Sequence, residues 1–354
     1  MKSHPDLLDL LQIDLPIIQA PMAGISTPEM AAAVSNAGAL GSLGVGAAGA
    51  SGAQRMIAEF RARSSRSLQV NVFCNAKARP QPALEARWLE RLRPELERFG
   101  ATPPTGLREI YRSFVEDDEM LAVLVTEKPK VVSLHFGIPA PERLQALRQA
   151  GMLLIGSATN LAEARALAEA GVHAIVAQGY EAGGHRGSFD PDAADEQLGC
   201  LALTRLLVAE LRLPIIAAGG IMDGSGIAEA LRAGASAAQL GTAFVACHES
   251  TADQGYRAAL ASAAAEHTVM TRVISGRPAR CLANRFTALG EHVSAAEVPD
   301  YPIAYDAGKA LHAAAKARAE FGFGAQWAGQ GAPRSRAMPA AQLVALLADE
   351  LARA

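Results

Sequence analysis

The chain has 354 residues, 50% of them hydrophobic, and a formal net charge of −3. This length suits a single α/β barrel, and the apolar content is enough for a large buried core. The small net charge gives no reason to expect a nucleic acid or a membrane surface as a partner.

The amino-terminal stretch and the cysteines indicate the compartment. The first residues, MKSHPDLLDLLQIDLP, contain three aspartates and no long apolar run, so they do not resemble a signal peptide. No other stretch is long and apolar enough to span a bilayer. The cysteines lie far apart, without a CxxC pair, which favours reduced thiols over a disulfide framework or a zinc site; they are Cys74, Cys200, Cys247 and Cys281. We therefore expect a cytoplasmic protein.

Eight short apolar runs, rich in Val, Ile and Leu, alternate along the chain with alanine-rich helical patterns. None of the runs alternates cleanly between apolar and polar residues, which is typical of strands buried on both faces of a parallel sheet. Eight such strands with helices between them predict an α/β fold, the (β/α)8 or TIM barrel. The predicted strands cover residues 15–22, 39–46, 68–74, 130–137, 152–158, 173–179, 214–221 and 237–244.

A weak internal repeat supports the barrel. Residues 161–179 and 226–241 share one plan, an amphipathic helix followed by an Ala-Gly break and a buried strand. The glycine is expected to end each helix in a left-handed cap. The short connection suits a repeated βα unit.

Two regions do not follow this repeat. Residues 78–128 are longer than one crossover and predict an insertion with helices beside the barrel mouth. Residues 270–336 show little regular period, which is typical of a lid or a wall of a binding site. Residues 338–354 predict a closing amphipathic helix. We therefore expect a barrel domain over 1–269, and a cavity wall with closing helices over 270–354.

Six predicted strands end in polar residues and glycines rather than in plain turns. The active site of an α/β barrel lies at the carboxyl ends of its strands, so we expect the site at this face. The six strand ends read QAPMAG, NVFCN, HFG, QGYEAGGH, AAGGI and QLGT.

The ends of the seventh and eighth strands suggest a phosphate site. Barrels often bind phosphate there through backbone N–H groups and the start of a short helix. Gly219, Gly220, Gly241 and Thr242 could supply such donors without a cationic side chain. The alternative is a pair of tight turns, but finding both at these two strands favours phosphate binding.

Three amides, Asn71, Gln178 and Gln239, lie in or just after predicted buried strands. Buried amides need hydrogen-bond partners, which are either neighbouring protein groups or the edge of a ring such as an isoalloxazine. The Gly183-Gly184 pair would let the chain pass close to a flat cofactor and place His185 over the cavity. Arg186 either acts beside it or pairs with an acidic residue.

Other common chemistries have no motif in the chain. Its histidines lie on different predicted elements, and neither HExxH nor HxxEH occurs, so we expect no metal site. The chain also lacks a GxSxG elbow and a GxxxxGK[ST] phosphate loop. The run GVGAAG over 44–49 follows a predicted strand, and we interpret it as a flexible turn.

Together these motifs resemble class I nitronate monooxygenases, which are FMN-dependent TIM-barrel enzymes. The resemblance runs nearly end to end, from QAPMAGISTPEM through NVFCNAKARP, VVSLHFGIP and QGYEAGGHRGSF to YPIAYDAGKALHAA and AQWAGQGA. FMN-dependent enoyl-ACP reductases share motifs similar to QAPM, EAGGH and AAGGI. The segments HFGIP, YPIAYDAGKA and AQWAGQGA separate the chain from those reductases.

The resemblance implies the residues of the site. His185 matches the active-site histidine. The residues that match the lining of the substrate cavity are Tyr111, His135, Tyr301, Tyr305 and Lys309. The residues expected to contact FMN are Met22, Asn71, Gln178, Gly183, Gly219, Gly220, Gln239, Leu240, Gly241 and Thr242.

The resemblance also implies the reaction. An alkyl nitronate, typically propionate 3-nitronate, is oxidised with O2 to a carbonyl compound and nitrite by one-electron flavin chemistry. A neutral nitroalkane would first have to lose a proton, and His185 is the candidate base because the usual pKa of histidine suits this task. We expect a monomer or a homodimer. The alternatives are an NAD(P)H-dependent enoyl-ACP reductase and a flavin-binding barrel without catalytic activity.

Overall fold

The computed structural model describes residues 7–354. The first six residues of the amino-terminal stretch, for which we expect no signal peptide, lie outside this range. All eight predicted strands form at the predicted places. They are β1 (Ile17–Gln19), β2 (Gly41–Gly44), β3 (Leu68–Phe73), β4 (Val131–His135), β5 (Leu153–Ala158), β6 (Ala174–Gln178), β8 (Ile215–Ala218) and β9 (Ala237–Leu240). A two-residue strand, β7 (Gly184–His185), follows β6 outside this sheet.

The eight strands form one parallel sheet in the order β1-β9-β8-β6-β5-β4-β3-β2. The sheet closes between its first and last strands, where Ile18 makes a parallel bridge with Leu40. The Gln19 N–H donates to the Leu40 carbonyl at 2.9 Å, and the Leu40 N–H donates to the Ile17 carbonyl at 3.0 Å. The predicted TIM barrel is therefore confirmed.

The core has one layer inside the barrel and one outside. Ile155 and Ile216 are fully buried in the inner cluster, which also contains Leu7 and Leu11 of the short helix α1 (Leu7–Leu11). This helix closes the barrel at the amino ends of the strands. The carboxyl ends are left free to form a site.

Helices cover the outside of the barrel. Several begin at a side chain that accepts a backbone N–H: Thr27, Asp117, Asn160 and Asp223. Gly171 and Gly234 have φ values of +79° and +98° and end the two repeated helices as predicted. These covering helices are α2 (Pro28–Asn36), α3 (Gly49–Arg61), α5 (Asp118–Glu127), α6 (Pro141–Gln149), α7 (Leu161–Glu169), α8 (Cys200–Glu210), α9 (Gly224–Arg232) and α14 (Ala340–Ala352).

The inserted segment after β3 contains α4 (Pro82–Arg98) and then an irregular stretch over 99–117. Trp88 and Leu92 of α4 pack against Leu311 in α13 (Ile303–Lys316) rather than against the barrel helices. The stretch over 99–117 is thereby held beside the barrel mouth.

The region over 270–336 is more regular than the sequence predicts. Strands β10 (Thr268–Thr271) and β11 (Ala279–Leu282) pair with each other and then with β7 in a small antiparallel sheet. Helix α13 has 14 residues and no side-chain cap at its start, so the usual start signal is missing. The remaining short elements are α10 (Thr242–Val245), α11 (Gln254–Leu260), α12 (Arg285–Ala288) and the 3-10 turns Ala263–Glu266, Ala295–Glu297 and Ala332–Arg334.

Over residues 7–354, no helix is both long enough and apolar enough to cross a membrane.

Candidate active site

A cavity of about 770 Å³ opens at the carboxyl ends of the barrel strands. Its walls come from these strand ends, from α13 and from the stretch over 324–331. The structure brings fifteen of the sixteen predicted site residues into this lining: Met22, Asn71, Tyr111, His135, Gln178, Gly183, His185, Gly219, Gly220, Gln239, Gly241, Thr242, Tyr301, Tyr305 and Lys309. The exception is Leu240, whose side chain is 1% exposed and packs into the core outside the barrel.

One end of the cavity presents free hydrogen-bond donors that suit an anion. Gly219 and Gly220 have φ values of +128° and +70°, which glycine adopts without strain. Within residues 7–354, the backbone N–H groups of Gly219, Gly220, Gly241 and Thr242 have no protein acceptor. The Thr242 hydroxyl accepts the Gly329 N–H at 3.0 Å, so its own proton is free to donate. This donor set fits a phosphate group.

The three predicted amides differ in what they offer a ligand. Asn71 donates both amide hydrogens to Ser133, which leaves its oxygen as an acceptor. The Gln239 side chain has no hydrogen-bond partner among the described residues. The Gln178 amide is largely occupied, since it donates to the His185 carbonyl at 3.0 Å and accepts the Gly187 N–H at 2.7 Å. Asn71 and Gln239 are therefore the amides with groups free for the edge of a ring.

The glycine pair after β6 has a structural role in addition to the predicted approach to a cofactor. A Cβ on Gly183 would lie 2.4 Å from the Gly329 nitrogen, so Gly183 is needed for close contact with that backbone. Gly184 has a φ of +76° and turns the chain into β7. The pair therefore brings two chain segments together, and both glycines also line the cavity.

His185 stands in the cavity wall and is held from several sides. Its Nε2 lies 2.8 Å from the Ser275 Oγ. Its ring packs against the rings of Trp327 at 5.0 Å and Tyr301 at 5.3 Å. Strand β7 fixes its backbone, because His185 is paired with Ala279 in β11. The imidazole is therefore oriented before any ligand binds.

The expected pKa of His185 needs a correction. Burial, the neighbouring His135 and the positive charge of Arg277 lower the pKa of His185 to about 3. Burial, Arg277 and Arg186 likewise lower the pKa of His135 to about 4. Both imidazoles are neutral at pH 7, and each is a weaker base than an ordinary histidine. The position predicted for His185 is unaffected, but the argument from its ordinary pKa is wrong.

Three tyrosines and a lysine form the outer wall. Lys309 places its ammonium 4.9 Å from the ring centre of Tyr111 and 5.5 Å from that of Tyr305. Burial raises the pKa of Tyr111 and of Tyr305 to about 12, and it raises the pKa of Tyr301 well above 10. The tyrosines are therefore neutral hydrogen-bond donors around a cation that has no ion-pair partner in the described chain.

Sequence reasoning missed three residues of the cavity wall, Phe136, Tyr256 and Trp327, and the buried Ser275 behind His185. Tyr256, in α11, lines the cavity and donates its hydroxyl proton to the Trp327 carbonyl. Phe136 lies in the motif HFGIP and Trp327 in AQWAGQGA, but the sequence assigns neither a role in the site. Nothing in the sequence distinguishes Ser275. Of these residues, only Phe136 had a local signal, since it follows His135 at a strand end.

Arg186, left open by the sequence, is a structural residue. It is 1% exposed and pairs with Asp195 through two hydrogen bonds, of 2.7 and 3.0 Å. Its Nη1 also donates to the carbonyls of Gln178 and Gly179.

The cysteines and possible metal ligands add no further chemistry. All four cysteines are buried and free, and burial raises the pKa of each thiol to about 12. In the described part of the chain, no group of three or more His, Cys, Asp and Glu residues could hold a metal ion.

Comparison with known proteins gives a consistent result. A family model for nitronate monooxygenase matches residues 4–350. A nitronate monooxygenase of Paraburkholderia phytofirmans is 61% identical and covers 98% of this chain and 94% of its own length. Another, of Pseudomonas aeruginosa, is 49% identical, with 97% of each chain covered.

Two solved structures share the fold over nearly the whole chain. A nitroalkane oxidase from Streptomyces ansochromogenes is 39% identical, with a TM-score of 0.89, and the match covers 99% of this chain and 98% of that one. FabK from Thermotoga maritima is 27% identical, with a TM-score of 0.75, and the match covers 99% of this chain and 97% of that one.

Proposed function

Because the chain belongs to the nitronate monooxygenase family, and is thus an oxidoreductase that acts on nitronates, we propose that it binds FMN and uses O2 to convert alkyl nitronates to a carbonyl compound and nitrite. One observation carries the proposal. A single cavity joins four unpartnered backbone N–H groups at one end to the unpaired Lys309 ammonium at the other. The first set suits a phosphate and the second suits an anionic substrate.

The residues present fit FMN. Gly219, Gly220, Gly241 and Thr242 would hold its phosphate by backbone donors. The free oxygen of Asn71 and the free amide of Gln239 would meet the polar edge of the ring, and Met22 also lines this space. When bound, the flavin supplies an acceptor for single electrons and a route for them to O2.

The chain's own residues bind and orient the nitronate. Lys309 offers a positive charge, and the hydroxyls of Tyr111 and Tyr305 offer neutral donors beside it. Propionate 3-nitronate carries a carboxylate as well as a nitronate, so it gives this wall two groups to hold. His185, as a neutral imidazole, can make a hydrogen bond to the substrate without adding charge.

The proposed binding role of Lys309 can be tested by mutation. We expect Lys309→Met to raise the KM for propionate 3-nitronate roughly tenfold, because a charge-assisted hydrogen bond is lost. Lys309→Arg should retain most of the affinity. Steady-state kinetics with an oxygen electrode would measure both. The control is Lys77→Met, since Lys77 is exposed and lies outside the cavity. An unchanged KM in Lys309→Met would remove this residue from the proposal.

Two wider predictions belong to this proposal. The first is the division into a barrel over 1–269 and a cavity wall with closing helices over 270–354. The second is a monomer or a homodimer in solution, which light scattering during size-exclusion chromatography would distinguish.

A further inference from the structure

Arg277 is a buried cation that forms no ion pair within the described chain. It is 3% exposed, and no carboxylate in the described chain lies within ion-pair distance of it. Its Nη2 donates to the carbonyls of Ser188 and Phe189, and its Nε has no partner. Arg186 is buried to the same degree, but its charge is balanced by Asp195.

The Arg277 guanidinium lies directly behind the wall of the active site. Its central carbon is 4.3 Å from the ring centre of Phe136. The same ring lies 4.4 Å from the ring of His135, 5.6 Å from that of Tyr301 and 5.7 Å from that of His185. Phe136, which itself lines the cavity, thus contacts both the cation and the rings of the cavity wall.

The backbone of Phe136 indicates that this placement is specific. Its φ is +76°, a conformation that bulky residues rarely adopt. Residues with such backbone strain cluster at functional sites, where the surrounding structure holds them. This backbone conformation places the aromatic ring against Arg277 and close to both histidines.

The positive charge of Arg277 changes the energy of other charges in and around the cavity. Burying an unpaired cation is unfavourable, and in a medium of low dielectric its field is weakly screened. An anion in the cavity would lower its energy, whereas a proton added to either histidine would raise it.

Other charged groups also surround Arg277 and the histidines. The carboxylates of Glu163 and Asp190 favour the charged form of Arg277 without forming an ion pair with it, and burial still lowers the pKa of Arg277 to about 10. Tyr301 and Tyr305 are neutral, because burial raises the pKa of each. On His135, Arg186 also acts, but Asp195 is bound to it. Lys309, at the outer wall, adds to the positive field. Ser275 and Trp327 contact His185 without carrying a charge.

We propose that Arg277 is a positioning residue for anionic substrates, a fixed positive charge behind Phe136 that favours an anion in the cavity and keeps His135 and His185 uncharged. The part concerning substrate rests on the proposed function, whereas the part concerning the histidines does not.

The histidines are tested first, in the wild-type protein. Proton and carbon NMR signals of the imidazoles, assigned with His135→Asn and His185→Asn, are followed from pH 8 to pH 5. We expect neither histidine to titrate in this range. A midpoint near pH 6.5 for either one would overturn the proposal without any Arg277 variant being needed.

Variants of Arg277 then separate the effect of its charge on the two histidines from the effect of their burial. For the variants, the titration of each protein and of the wild type is extended down to pH 4. In Arg277→Met, we expect the midpoint of at least one of the two histidines to rise by about one pH unit or more. Arg277→Lys should keep both midpoints low. The matched control is Arg280→Met. Arg280 is also 3% exposed and also lacks an ion pair, but it lies over Tyr180, 4.8 Å from the ring centre. Unchanged histidine midpoints in a folded Arg277→Met protein would contradict the proposal.

Substrate charge provides the second readout. Arg277→Met should raise the KM for propionate 3-nitronate, which has two negative charges, by roughly tenfold, and that for ethyl nitronate, which has one, by roughly threefold. A purely structural role would raise both by the same factor, and that result would overturn the part concerning substrate. If wild-type protein does not act on nitronates at all, the proposed function fails, while the NMR result on the histidine charges still stands.

Discussion

At the scale of single residues, the most informative one is His185, whose two ring nitrogens have different surroundings. Nε2 is 2.8 Å from the Ser275 Oγ, and that hydroxyl also lies 3.3 Å from the Arg277 carbonyl, to which it can donate. In that arrangement, Nε2 carries the proton and Nδ1 is left as the acceptor. Ser275 therefore favours the tautomer in which Nδ1 is the ring nitrogen that can accept a proton.

The lowered pKa values of the two histidines make stability depend on pH. Each pKa is about 6.5 in the unfolded chain, and the folded values are about 3 for His185 and about 4 for His135. Between these values the unfolded state binds more protons, so the free energy of unfolding falls as the pH is lowered below 6.5. Urea unfolding at pH 8, 6 and 5 should show this fall.

A matched pair of variants tests the source of the pH dependence. His185→Asn should weaken the fall in stability between pH 6 and pH 5. His267→Asn should leave it unchanged, because His267 is exposed. If the His185→Asn protein lost stability with falling pH as steeply as the wild type, the neutral state of His185 would not be the cause.

The low pKa of His185 also affects which substrate is turned over faster, the nitronate or the neutral nitroalkane. A base whose conjugate acid has a pKa of about 3 removes a carbon-bound proton slowly. We expect turnover of a preformed nitronate to exceed that of its neutral nitroalkane by roughly a hundredfold or more. His185→Asn should abolish the remaining activity on the nitroalkane. If that variant kept the full wild-type rate on the nitroalkane, His185 would not be the base.

Gly220 tests the proposed phosphate site, because its backbone N–H is one of the four free donors there. Its φ of +70° costs a residue with a side chain about 1 kcal/mol or more. We expect Gly220→Ala to retain less FMN during purification, measured as flavin absorbance per protein. Gly106→Ala is the control, because a Cβ there meets nothing within 4 Å and φ is not positive. Equal flavin content in the two variants would count against the phosphate assignment.

At the scale of elements, polar contacts with the buried side chains of Arg186 and Glu163 hold the segment over 186–199 against the barrel. Arg186 pairs with Asp195, and the Phe189 N–H donates to the buried carboxylate of Glu163 at 2.9 Å. Burial alone would raise the pKa of Asp195, but the hydrogen bonds from Arg186 outweigh it and hold that pKa below its usual value. The pair is therefore expected to contribute stability above the unfolded pKa of Asp195.

Removing one partner of this pair should be costly. Asp195→Asn leaves the Arg186 charge buried and unpaired, and we expect the free energy of unfolding to fall by about 3 kcal/mol. Glu210→Gln, which breaks the exposed pair with Arg165, should cost about 1 kcal/mol or less. Chemical denaturation would compare the two, and equal losses would show that the buried pair has no special role.

Elements differed in how far the sequence could predict them. The barrel strands were predictable because their unbroken apolar runs are a local property. Helix α13 was missed, although its buried residues Ile303, Ala307, Leu311 and Ala315 recur every four positions. Small residues make that period faint in a sequence, and the face is buried by α4, which lies about 200 residues earlier.

At the scale of the whole molecule, the cavity is made by segments that are remote in sequence. Its lining was largely predictable where a motif sits at a strand end, as at Asn71 and His185. Tyr256 and Arg277 were not predictable, because their roles come from contacts with Trp327 and Phe136 in distant segments. The side chain of Leu240, for which we predicted contact with FMN, packs into the core outside the barrel, whereas its neighbours Gln239 and Gly241 line the cavity.

The measurement that tests the central claim most directly compares two electron donors on the purified, FMN-loaded protein. Propionate 3-nitronate is added in air while O2 consumption and nitrite are recorded, and NADPH is added without O2 while the flavin absorbance is recorded. We expect O2 uptake with nitrite from the nitronate, and no bleaching by NADPH. Bleaching by NADPH, with neither O2 uptake nor nitrite from the nitronate, would contradict the account and favour a reductase.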